Sequence, residues 1–76
     1  MRVVEGRNRV RGELSAREIE ILRRVAEGFA NKRIAAELSI SCETVKAHMK
    51  SILAKLRAED RMHVVTIALR RGAFNL

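Results

Sequence analysis

One segment of this 76-residue chain leaves little choice of conformation. Between Ser41 and Arg57, Val45, Met49, Ile52 and Leu56 recur at the spacing of a single helical stripe. At about 100° per residue, the four fall within roughly 60° of one another. Glu43, Lys46, Ala47, Lys50, Ala54 and Arg57 fall mostly on the other side. Ser41 stands just ahead of the stripe and suits an N-cap, because its hydroxyl can accept from an amide one turn on. The segment predicts a helix that buries one narrow face and offers a basic, small-residue face to something else.

The rest of the chain reads as shorter pieces of the same kind. Ser15 with Glu18 three residues on is a capping box, and Leu14 sits where a hydrophobic staple would. Ile19, Leu22, Val25, Ala26 and Phe29 follow at helical spacing, and Gly28 suits a left-handed stop. Asn31 reads as the N-cap of a short second helix through Lys32, Ile34, Ala35 and Leu38. Ser39, Ile40 and Ser41 form a tight connection to the long third helix, at about 41–57. Asp60 opens a fourth helix that Gly72 could close. There is no proline and there are only four glycines, which argues against a strand-and-turn fold. The expected fold is all-α, a compact four-helix bundle with a helix-turn-helix formed by helices two and three. The folded domain is expected over 14–76, and 1–13 as a flexible basic arm or interdomain linker.

Size and charge narrow the function. A chain this short makes one small domain. It carries 16 Lys and Arg against 9 Asp and Glu, a formal charge of +7. That balance suits a polyanionic partner, although a soluble surface or an acidic membrane would explain charge alone. No apolar run approaches the roughly 18 residues of a membrane span. No apolar signal-peptide core follows the first charges. The chain is therefore expected to work in the cytoplasm, away from membranes. The single Cys42 cannot form an internal disulfide.

These residues resemble the LuxR/FixJ/GerE-type DNA-binding domains of bacterial transcription regulators. The match runs through Leu14-Ser15, Arg17-Glu18, Glu20-Ile21-Leu22, Gly28, Asn31-Lys32, Ile34-Ala35 and Leu38. It continues through Ile40-Ser41, Thr44-Val45-Lys46, His48, Ile52, Lys55-Leu56 and Arg61, and covers nearly everything from Leu14 to Gly72. The resemblance implies pseudo-palindromic operators on double-stranded DNA, and a homodimer paired through the fourth helix. RNA polymerase is a further partner open to it. Three departures stand out. Ala30 replaces the usual Ser or Thr, and Ala47 a larger apolar residue. Met62-His63 replaces a small or polar residue followed by Glu or Gln.

The candidate contacts follow. Lys46 and Lys50 share a face, and each can donate to guanine or to phosphate; the bland alternative is a solvated lysine pair. Ala47 lies between them. Asn31, Lys32, Ser41 and Thr44 lie at the starts of helices two and three, where free amides and the helix dipole favour phosphate. The bland alternative is that Asn31 and Ser41 serve only as caps. His48 can meet phosphate or pack on a neighbouring helix. Val64, Val65, Ala68 and Leu69 form the expected packed stripe of the fourth helix. Ile67 falls outside it with His63 and Arg71, and with the resemblance these three become candidate dimer contacts. Cys42 reads as an inert small residue rather than a redox switch. Capping and surface pairing account for Glu18 and Glu20. No catalytic constellation, cofactor motif or metal-ligand spacing for Cys42, His48 and His63 is visible. The expected function is a sequence-specific DNA-binding transcription regulator, either stand-alone or the C-terminal effector domain of a response regulator. Two alternatives stand beside it: a sigma-factor-type helix-turn-helix acting with RNA polymerase, and a helical interaction module that does not bind DNA.

Overall fold

The computed structural model describes residues 13–72. The arm expected over 1–13 therefore lies outside the described residues except for Glu13. Four helices follow: α1 (Ala16–Ala26), α2 (Asn31–Leu38), α3 (Cys42–Leu56) and α4 (Arg61–Arg70). The described residues contain no strand. α3 packs against each of the other three helices. Its stripe is the spine of the core, with Val45, Met49, Ile52 and Leu56 all buried. Leu14, Ile21, Leu22 and Val25 close on it from α1 and its lead-in. Ile34 and Ala35 close on it from α2, and Val64 and Ala68 from α4.

Short polar signals set most of the helix ends. The Ser15 hydroxyl accepts from the Glu18 amide at 3.1 Å while the Glu18 carboxylate accepts from the Ser15 amide at 2.9 Å, a complete capping box. Gly28 takes φ +93°, the Gly28 amide donates to Val25 O at 3.0 Å, and the Phe29 amide donates to Arg24 O at 3.0 Å. These two bonds are a Schellman stop and satisfy carbonyls that the ending helix would strand. α2 and α3 end the same way without glycine: Ser39 (φ 58°) and Arg57 (φ 56°) both sit in the left-handed region. Ser41 caps α3 by accepting from the Thr44 amide at 3.0 Å, and Asp60 caps α4 by accepting from the His63 amide at 2.8 Å.

Three expectations need correction. The N-cap of α2 is Ala30, which offers no side-chain bond; Asn31 is the first helical residue, and its side chain accepts instead from Arg61. Glu18 is not a surface group but is 4% exposed. It accepts from Ser51 Oγ at 2.8 Å and Lys55 Nζ at 2.9 Å, both on α3. On α4 the packed face is turned from the expected one. Ile67 is half-buried against the core, whereas Leu69 is 44% exposed and Met62 80% exposed.

Candidate nucleic-acid interface

Because α3 buries one narrow stripe, its opposite face is left to solvent. Glu43, Lys46, Ala47, Lys50 and Ala54 are all exposed there. Val45 and Lys46 are neighbours in sequence, as are Met49 and Lys50. Burying the first of each pair turns the second outward, roughly 100° away. The Lys46 ammonium lies 3.5 Å from the Glu43 carboxylate, an exposed pair one turn apart that holds the lysine near the start of the helix. The two alanines keep the middle of this face low, so a flat surface can approach the backbone.

The connection from α2 to α3 is short because it is tightly bonded. Left-handed Ser39 lets the Ile40 amide return to Ala35 O at 3.0 Å. Ser41 then opens α3, with its hydroxyl 2.9 Å from that of Thr44. Ser41 and Thr44 are both exposed, and so is Lys32 in the first turn of α2. Asn31, in the same turn, is half-buried. The starts of α2 and α3 therefore carry four of the predicted residues, and the outer face of α3 carries Lys46, Ala47 and Lys50.

His48 is half-buried on the flank of α3 that also carries Ser51 and Lys55. The latter two are drawn inward to Glu18. Burial pushes the Glu18 carboxyl up, but the Ser15 amide, Lys55 and Ser51 outweigh it and bring it down to about 2. This buried carboxylate joins the first turn of α1 to the middle of α3. A second acidic tie holds α2 to α1: Arg24 donates to Glu37 at 2.9 Å and Arg33 at 3.3 Å. Arg24 first, and then Arg33, hold the Glu37 carboxyl below its usual range. The Arg33 guanidinium also lies 3.8 Å from the centre of the Phe29 ring.

The three residues expected at the edge of α4 have separate surroundings. His63 Nδ1 accepts from the Glu59 amide at 3.0 Å, one residue ahead of the Asp60 cap whose own amide a capping-box Glu or Gln would bind. Arg71 lies 3.3 Å from the Glu13 carboxylate. Ile67 leans on the core. The apolar groups that α4 exposes are Met62 and Leu69, with half-buried Val65 between them on one stripe. Arg61, Met62 and Val65 also border an open cleft of about 490 Å³ between α4 and the α1–α2 turn, where Gly28, Phe29 and Ala30 line the other side.

Sequence reasoning missed the role of Arg61 and, beyond its capping bond, that of Glu18, and both organise this region. Arg61 donates to Asn31 Oδ1 at 2.8 Å and to Phe29 O at 2.6 Å, linking the start of α4 to the start of α2. Glu18 does the same between α1 and α3. All four of these side-chain bonds cross 30 or more residues of chain, where no spacing rule reaches.

Residues 12–68 match the family described as bacterial regulatory proteins, luxR family. The chain belongs to that family. It is 45% identical over 62 residues to the transcriptional regulatory protein LiaR of Bacillus subtilis, covering 82% of this chain and 29% of LiaR. It is 44% identical over 61 residues to the HTH-type transcriptional activator RamA of Corynebacterium glutamicum, covering 80% of this chain and 22% of RamA. The response regulator protein VraR of Staphylococcus aureus is 41% identical over 59 residues, or 78% of this chain and 28% of VraR. The chain thus spans less than a third of the length of these relatives. No solved structure matches it. The family is one of regulators and not a class of enzymes, and this is a DNA-binding domain of a transcription regulator. The match favours it over a sigma-factor-type helix-turn-helix. No helix among the described residues is long and apolar enough to cross a membrane. Nor do the described residues contain a group of His, Cys, Asp and Glu placed to hold a metal ion.

Proposed function

We propose that the domain reads a pseudo-palindromic operator on double-stranded DNA as a homodimer, with α3 of each copy in the major groove. One observation carries this reading. The helix that forms the spine of the core presents, on its far side, a shallow face bearing Lys46 and Lys50. A major groove admits one α-helix, and lysines there can donate to guanine O6 and N7. Ala47 between them allows close approach. The starts of α2 and α3, through Asn31, Lys32, Ser41 and Thr44, meet backbone phosphates and set the register. His48 lies beside the phosphates that flank the groove.

Pairing through α4 would use the apolar stripe of Met62, Val65 and Leu69, with Ile67, His63 and Arg71 at its margins. Two recognition helices related by a two-fold axis would read half-sites about one helical turn apart. Occupying a cytoplasmic promoter then changes transcription by recruiting or obstructing RNA polymerase. In a longer regulator the domain would serve as the effector of a response regulator.

The test is selection of bound sites from a random DNA pool, followed by titration of the winner at several salt concentrations. Counterion release gives a slope of about −0.9 per neutralised phosphate, so a dimer should show roughly −4 to −8. A slope near zero, or selected sites without two-fold symmetry, would overturn the reading.

A further inference from the structure

We propose that Arg61 is a positioning residue for DNA binding: it turns the side-chain amide of Asn31 so that its NH2 group faces the phosphate backbone. The inference rests on the reading of the α2 start as a phosphate contact, and deepens it. Arg61 is the first residue of α4 and is half-buried. One arm of its guanidinium, Nη1, donates to Asn31 Oδ1 at 2.8 Å, and the other, Nη2, donates to Phe29 O at 2.6 Å. Asn31 is the first residue of α2, and Phe29 lies in the turn before it. A single planar fork therefore holds both sides of that turn.

The chemistry of the fork fixes the amide. A guanidinium has five donors and no acceptor, so Asn31 can meet it only through oxygen. With its oxygen held by Arg61, the amide nitrogen points away from Arg61. An unanchored asparagine would offer a phosphate its oxygen lone pairs as readily as its N–H groups. Anchored, it offers only donors. The bond to the Phe29 carbonyl does the complementary work, because it holds the backbone on which Asn31 stands. Lysine could not replace this arrangement, since an ammonium is a point charge without a rigid fork. Arg61 acts through Asn31; its own fork is directed at Asn31 and Phe29.

The test is a double-mutant cycle of Arg61→Met and Asn31→Ala, with binding to a short mixed-sequence DNA duplex read by fluorescence anisotropy across a salt series. Each single variant should bind about five- to ten-fold more weakly, the range of a lost hydrogen bond. The double variant should bind no worse than the weaker single one. The salt slope of Arg61→Met should stay near the parent's, because no ion pair with phosphate is lost. Should Arg61→Met melt too low for the assay, Arg61→Lys repeats the cycle, keeping the charge without the fork. Asn31→Asp separates structure from binding. Its carboxylate still accepts from Arg61, so it should melt at or above the parent temperature, yet bind more than ten-fold more weakly.

Losses that add across the cycle would overturn the proposal. So would a slope lowered by about 0.9 in Arg61→Met, which would mean that Arg61 itself touches a phosphate. Parent-like binding by Asn31→Asp would do the same. If the parent itself shows no salt-dependent binding to the duplex, the DNA reading fails first, and the proposal falls with it.

Discussion

Replacing Glu18 by Gln should cost this domain about 2–3 kcal/mol at neutral pH, and the cost should vanish in acid. The carboxyl moves from 4.5 to about 2 on folding. At about 1.36 kcal/mol per unit, that difference is worth about 3.4 kcal/mol. The Lys55 side chain is 42% exposed, so water screens part of its share, and about 2–3 kcal/mol is the better figure. Glutamine keeps the oxygen that accepts from both the Ser15 amide and Lys55, but it loses the charge and turns a donor group towards Ser51. In a domain this small, each kcal/mol moves the melting temperature by about 4–8 °C, so the variant should melt about 10–20 °C lower. The pH dependence gives the sharper check. The folded carboxyl titrates below the unfolded one, so the unfolded chain takes up the proton first. The parent's extra stability is complete above about pH 5 and drains away as the pH falls to about 2. Thermal melts of both proteins, followed by circular dichroism over that range, should start well apart and converge. A gap that persists unchanged in acid would show that shape, not charge, makes Glu18 useful, and would refute the reasoning.

Other variants test separate parts of the structure. Gly28→Ala should destabilise by about 1–2 kcal/mol, because the strain comes from φ +93° alone and nothing lies within 4 Å of an added Cβ; Arg57→Gly should gain up to about 1 kcal/mol, and a urea midpoint that rises for the first or falls for the second would contradict the corresponding prediction. Lys50→Ala should reduce discrimination among operator variants by about 1–3 kcal/mol, whereas Lys32→Ala should weaken all sequences alike; equal loss on specific and random DNA for Lys50→Ala would remove its base-reading role. Met62→Glu combined with Leu69→Glu should leave melting unchanged and abolish cooperative binding to the full operator while sparing a half-site. Cooperativity equal to the parent's would put the dimer contact on another surface.

The sequence made some of this plain and hid the rest for identifiable reasons. The orientation of α3 was legible because Val45, Met49, Ile52 and Leu56 keep strict phase and, apart from Leu53, every other position is small or polar. Ser15, Ser41 and Asp60 were legible as caps because each uses a bond only three residues long. Asn31 misleads by the same logic. It is a favoured cap residue and Ala30 is not, so the local signal points one residue too late, and Arg61, thirty residues on, takes the Asn31 oxygen instead. Glu18 is half legible: its capping bond is local, but its burial depends on Ser51 and Lys55, 33 and 37 residues away. α4 carries apolar residues on nearly every side. Periodicity alone therefore could not say that Val64 and Ala68 would be buried while Met62 and Leu69 would not. The contact residues on DNA were nominated by chemistry and by resemblance, and solvent exposure at Lys46, Ala47 and Lys50 is what that nomination requires.

The placement of α3 has a bearing on how such a domain can change its target. Val45 is buried and Lys46 is not; Met49 is buried and Lys50 is not. Inserting or deleting a single residue within Cys42–Leu56 would rotate everything beyond it by about 100°. Lysines would swing towards the hydrophobic interior, and Met49 or Ile52 towards solvent. The helix is therefore frozen in length, and on the proposed reading new operator preferences would arise by substitution at Glu43, Lys46, Ala47 and Lys50. Variation in length would be confined to the chain outside the four helices, where, if two copies pair on DNA as proposed, it would alter the spacing of the half-sites without altering what either copy reads.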